Sequence, residues 1–200
     1  MVMNINSLEF GKSMSGASSL FRRLGEKGDH IQFKIAQNPV YTGKHFQQKE
    51  TGWDITECVR VNNHEECDRC NEYFRIKALS KKAKASGNEE EHTKLENEAR
   101  DYNASIQFYF PVLNRNTEDF DILQTTYGVR NQLNEHFESG VDVLEKEWIL
   151  RNTGIKGAKK YSLSMVDSAE VAPLSESEVI AFEMAKKYDL NQIGASKSDE

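Results

Sequence analysis

The stretch "HFQQKETGWDITECVRVNNHEECDRC", His45 to Cys70, holds all three cysteines of the 200-residue chain, two of its five histidines and one of its two tryptophans. The spacing is His45-x12-Cys58-x8-Cys67-x2-Cys70. A Cys-x-x-Cys knuckle sets two thiolates on one tetrahedral metal ion. A third thiolate and an imidazole complete a closed Cys3His set, which is structural rather than catalytic because no coordination position stays open. Soft thiolates favour zinc over hard cations, so the expected cofactor is one structural Zn2+ held by Cys58, Cys67, Cys70 and a histidine. His45 and His64 compete for the fourth place. Spacing favours His45, since a ligand at 64, three residues before Cys67, would crowd a short loop. The plain alternative, that the thiols are simply buried, fits three clustered cysteines less well.

Three thiols cannot all pair, and a chain this long does not need a disulfide framework, so a reducing compartment is expected. At 38% hydrophobic residues the sequence can bury a core, while 29% charged residues and a mean hydropathy of -0.70 leave much of it solvated. No apolar run approaches the roughly eighteen residues of a membrane span. The N-terminus lacks a basic segment followed by an apolar one, which argues against a secretory signal. The formal charge of -6 is uneven: from Asp167 onward eight acidic residues face three lysines, so only -1 falls on residues 1–166. Basic residues in that nearly neutral body can still form a groove.

Outward from the cysteines the periodicity is mostly that of strands. "HIQFKI" alternates, with Ile31, Phe33 and Ile35 on one face. "GWDITECVRV" alternates again, with Trp53, Ile55, Val59 and Val61 on one side. "ASIQFYFPVLN" reads as a strand that Pro111 ends or places at an edge, and "DFDILQTTY" as its hairpin partner. "WILRN" and "KKYSLSMV" flank the turn "TGIKGA". Between these, Asn71–Tyr102 reads as two helices divided at Gly87. "GVRNQLNEHFESG" carries an apolar stripe of Val129, Leu133 and Phe137 ended by Gly140. Ser175 and Glu178 stand in capping-box register before a terminal amphipathic helix. The expected fold is mainly β with inserted helices: an OB-like five-stranded barrel carrying a small zinc subdomain and a C-terminal helix. The expected divisions are a flexible arm over 1–21 and a core over 22–170. Within that core lie the zinc subdomain, about 45–75, and the helical excursion, about 71–102. A helix and tail follow over 171–200.

The chain lacks a catalytic motif: G-x-S-x-G, P-loop, G-x-G-x-x-G and H-E-x-x-H are all absent, so it does not read as an enzyme. What it does interleave are cations and aromatic rings at strand positions, the side chains that neutralise phosphates and stack on bases. These include Lys34, Lys44, Phe46 and Arg60, then Tyr109, Arg130 and Arg151, then Lys156, Lys159 and Lys160 around a glycine-bearing turn. Phe108 and Phe110 share a face with Ile106 and belong to the core. Tyr109, on the opposite face, is the stacking candidate.

Taken in order, the "LGEKGDHIQFKI" strand, His45, Cys58, Cys67-x-x-Cys70, the helical excursion, "IQFYFPVL" and "WILRNTGIKGAKKYSL" resemble the single-stranded DNA-binding proteins of tailed phages, the T-even helix-destabilising class. The resemblance covers roughly residues 22–170, and its specific part is the zinc-ligand register, which points to His45. It implies an OB core with an inserted zinc subdomain, and DNA held in a basic, aromatic-lined cleft. It also implies a role in replication, recombination and repair in the cytoplasm of the infected bacterial host, and replication proteins recruited by the C-terminal region. Two features depart from that class. "GKSMSGASSLFRR" is mostly neutral where the class has a basic cooperativity segment, and "SKSDE" is acidic only at its last two residues. The second reading is a zinc-stabilised adaptor that docks a replication or transcription complex.

Overall fold

The computed structural model describes residues 21–49, 52–154, 160–190 and 193. The chain divides into two compact units, one formed by Tyr41–Phe108 and the other by the chain on either side, through Val40 and from Tyr109. Residues 1–20 of the flexible arm expected over 1–21 and most of the tail lie outside the described residues, while Phe21 already belongs to a strand.

In the flanking unit the strands run in the spatial order β1 (Phe21–Arg22), β6 (Asp119–Thr126), β5 (Ala104–Asn114), β2 (His30–Ile35), β7 (Glu147–Asn152), β8 (Tyr161–Met165). β2 pairs antiparallel with β5 and with β7, β7 antiparallel with β8, and β1 parallel with β6. The alternation of "HIQFKI" appears as expected: Ile31, Phe33 and Ile35 are 1–2% exposed, with half-buried residues between them. Among the described residues no pairing joins β8 back to β1 or β6. The sheet is mainly antiparallel and open, so the five-stranded barrel is not what forms. Closure needs long, staggered strands all the way round, and the edge strands here have two and five residues.

β5 runs straight through Pro111. The Pro111 carbonyl still accepts from the Ala36 N–H at 3.0 Å, so proline removes one donor without ending the strand. From Phe108 onward β5 is buried on both faces. Tyr109 and Leu113 pack with Phe120, Ile122 and the terminal helix α5 (Glu176–Lys187) through Ala181, Phe182 and Ala185. That helix starts with the expected capping box, Ser175 with Glu178, and is part of this core rather than an appendage. α4 (Tyr127–Glu138) buries Val129 and Leu133, but Phe137, the third residue of the expected stripe, is 65% exposed.

In the Tyr41–Phe108 unit, β3 (Val40–Lys49) pairs antiparallel with β4 (Gly52–Glu57) and also pairs with β5. The alternation read through "GWDITECVRV" breaks at Cys58, where the strand gives way to the short helix α1 (Val59–Asn63), and Ile55 is 54% exposed. α2 (Asp68–Ala85) and α3 (Glu89–Arg100) form the expected pair, turning at Gly87, whose φ of 76° is one that glycine adopts freely. Ile76, Leu95 and Ala99 pack between them. The expected zinc subdomain and helical excursion are therefore one unit.

Candidate metal centre

Three segments converge. β3 supplies His45, and the end of β4 supplies Cys58 as the residue that starts α1. Cys67 is the N-cap of α2, and Cys70 lies in that helix's first turn. Strand pairing sets the approach: His45 lies opposite Thr56, two residues before Cys58, and the Cys58 N–H extends the ladder by donating to the Gly43 carbonyl at 2.8 Å. His45 and Cys58 are 0% exposed, Cys70 6% and Cys67 7%. The four ligand atoms all lie within 4.8 Å of one another, close enough to hold one metal ion.

Cys58 and Cys70 sulfurs are 3.4 Å apart, and His45 Nε2 lies 3.3 Å from Cys67 Sγ and 3.7 Å from Cys70 Sγ. Ligands at roughly 2.3 Å (sulfur) and 2.0 Å (nitrogen) from a common tetrahedral centre sit about 3.5–3.8 Å from each other. The residues present fit such a centre. All three cysteines are free thiols. His45 Nδ1–H donates to the Tyr102 carbonyl at 3.0 Å. A carbonyl can only accept, so the ring takes the tautomer that turns the Nε2 lone pair toward the sulfurs.

The electrostatics call for a cation. Burial lowers the His45 pKa from its ordinary value, and the neighbouring Arg69 guanidinium lowers it further, which favours the neutral ligand form. Burial alone would raise Cys67, but the Cys70 backbone N–H and the Cys70 and Cys58 thiols outweigh it and hold Cys67 below the usual thiol value. Cys70 is pushed up to about 12 by burial and then by the Cys58 and Cys67 thiols. The neighbouring thiols thus disfavour ionisation of Cys70, and positive charge placed among the sulfurs would relieve it. Arg69 braces the surroundings, donating to Thr56 Oγ1, Gln47 Oε1 and the Asp101 carbonyl.

His64 is not one of the four. It is exposed and caps α1 with a left-handed φ of 61°. A residue that sequence reasoning passed over is Gly43. A Cβ there would meet Val61 Cβ at 2.4 Å, so the strand and α1 close together because position 43 has no side chain. Gly43→Ala is expected to cost about 1–3 kcal/mol, the usual range for overpacking, and to weaken metal retention. A chelator-competition titration against wild type reads the second effect directly.

The other singled-out residues are spread across both units. In Tyr41–Phe108, half-buried Lys44 lies opposite Glu57, and half-buried Phe46 opposite Ile55. Arg60 bonds Asn71 at 2.6 Å and stands 5.3 Å over the ring of Phe74, an exposed aromatic absent from the expected set. In the flanking unit, Lys34 donates to the Glu145 carbonyl at 2.9 Å, Arg130 is half-buried, and Arg151 and Lys160 are exposed. Tyr109 is corrected: at 7% exposure it is a core residue with no free face for stacking, because α5 covers the side of β5 expected to face solvent. Lys156 and Lys159 lie outside the described residues. No helix of the described residues is long and apolar enough to cross a membrane.

The chain matches no protein-family model and no curated protein.

Proposed function

We propose that this chain binds single-stranded DNA without reading its sequence, and that one structural zinc ion on His45, Cys58, Cys67 and Cys70 holds its Tyr41–Phe108 unit together. The observation that carries the reading is the convergence of those four side chains into one buried cluster. Their spacing is that of the helix-destabilising class the sequence resembles. Zinc is the ion that suits three thiolates and an imidazole in a closed tetrahedron. Such a set has no position for a reacting water, which supports a binding protein rather than a hydrolase. Affinity would come from phosphate neutralisation by residues such as Arg60, Arg151 and Lys160, and from base stacking on exposed rings.

One observation favours the adaptor reading: Val179 and Ile180 on α5 are 47% and 58% exposed and give that helix an apolar outer edge. Anisotropy of labelled oligo-dT and a matched duplex, titrated at low and moderate salt, separates the two. The strand-binding reading expects tight, salt-sensitive binding to oligo-dT and much weaker duplex binding. Equal or absent binding to both would leave α5 docking as the better account.

A further inference from the structure

The flanking unit carries a groove of about 270 Å³ beside α4, whose ten lining residues include one cation, Arg130, and no carboxylate, in a chain of net charge -6. Its floor is apolar and buried: Ile35, Phe110 and Leu133 are 1%, 3% and 6% exposed. Arg130, Asn134 and Phe137 stand four and three residues apart and so share one face of α4. Phe137 is the most exposed large hydrophobic side chain among the described residues. Arg130 makes only a 3.5 Å bond to Asn131 and no ion pair among the described residues, while the nearby carboxylate of Glu138 is engaged by Asn134 at 2.5 Å.

We propose that this groove holds one unstacked base of a single-stranded nucleic acid, with Phe137 as the stacking platform and Arg130 on the adjoining phosphate. The inference rests on the strand-binding reading and gives it a specific site. A flat apolar ring left in water is what a base needs for its π-face, and every base has one. The amide of Asn38, another lining residue, offers a donor and an acceptor, and Asn134, whose NH2 is turned to Glu138, adds a carbonyl oxygen, so together they suit the polar edge of a base without selecting one. An aliphatic side chain from a protein would fill the floor but would have no use for the unpaired guanidinium. A larger cavity, about 390 Å³, opens beside Arg22 and Arg23, but its cations are already engaged, Arg22 by Asp121 at 3.3 Å and Arg23 by Gln124.

The test uses the full chain and two fluorescent oligomers of equal length, oligo-dT and an abasic phosphodiester. Phe137→Ala should weaken oligo-dT binding roughly 5- to 100-fold, the range for deleting one base–aromatic stack, and leave the abasic oligomer unchanged. Phe137→Tyr should bind like wild type. Arg130→Ala should weaken both oligomers and lower the salt slope by about one. Because Phe137 is exposed, its variants should melt with wild type, which separates a lost stack from a lost fold. Wild-type oligo-dT affinity in Phe137→Ala overturns the groove alone, as does an equal loss for both oligomers. If wild type binds neither oligomer, the strand-binding reading falls and the groove with it.

Discussion

Cys58→Ser protein is expected to purify without stoichiometric zinc and to lose hydrogen-exchange protection throughout Tyr41–Phe108. Cys58 is 0% exposed and its sulfur lies 3.4 Å from that of Cys70, so a hydroxyl there is both a poor metal ligand and a buried polar group. Away from the cluster, the buried apolar residues of this unit's helix pair are few, chiefly Ile76, Leu95 and Ala99. The hydrophobic neighbours of the cysteines, Val59, Val61 and Ala104, are only partly buried. A unit of that kind would lean on a metal held by the cluster. In small zinc domains the ion supplies about 10–16 kcal/mol of apparent binding energy near neutral pH, and that energy becomes folding energy. Chelation of the wild-type protein should reproduce the serine phenotype, and added zinc should reverse it. Metal analysis together with amide exchange makes the check. Native protection in a metal-free variant would show that the cysteines are packing residues and nothing more.

The ligand set was readable in the sequence because thiolate chemistry and knuckle spacing are local. Spacing already favours His45 over His64, but what brings His45 into the cluster is not local. It depends on β3 and β4 pairing so that position 45 stands across from 56, beside the chain that carries Cys58. The same contrast runs through the fold. β2 was legible because a single buried face imposes strict alternation over six residues. The alternation through "GWDITECVRV" misled because it continues across a boundary: Val59 and Val61 keep the count, but the backbone has already turned into α1 at Cys58. α2 begins at Asp68, three residues before the expected helix, because Cys67 serves as its N-cap as well as a member of the cluster. Cysteine is not an ordinary capping residue, so no propensity signal marks that start.

Tyr109 and Phe137 were exchanged for a related reason. In the sequence the strand reads as having one wet face and the helix as having a fully buried stripe. Both readings turn on what covers the element, and for β5 the cover is α5, which begins more than sixty residues later in the chain. Aromatic placement was thus the least legible part of the candidate binding surface, although the residue types had been recognised. The open sheet is a further case: strand count and edge pairing follow from partners that no single segment specifies.

Arg115→Met should destabilise the flanking unit by about 3–5 kcal/mol, the usual cost of leaving buried carboxylates without their cation. The Arg115 side chain is 9% exposed and reaches Glu147 at 3.3 Å and Glu178 at 2.5 Å, carboxylates whose side chains are 3% and 8% exposed. Its guanidinium also donates to the Ala172 carbonyl at 2.8 Å. Each acid is committed elsewhere as well: Glu147 accepts from Gln32, and Glu178 closes the capping box by accepting from the Ser175 N–H. One cation therefore ties the end of β5, the start of β7 and the first turn of α5. Methionine preserves the stem's packing but leaves two buried negative charges facing each other. The decisive comparison is the triple variant Arg115→Met, Glu147→Gln, Glu178→Gln, which removes the charges together and should recover most of the loss, because a buried ion set adds little net stability over neutral packing. Urea titration read through exchange of β7 and α5 amides measures both. If the single variant loses less than about 1 kcal/mol, as is usual for solvent-screened pairs, the network is not what anchors α5, and Ala181, Phe182 and Ala185 must hold that helix unaided.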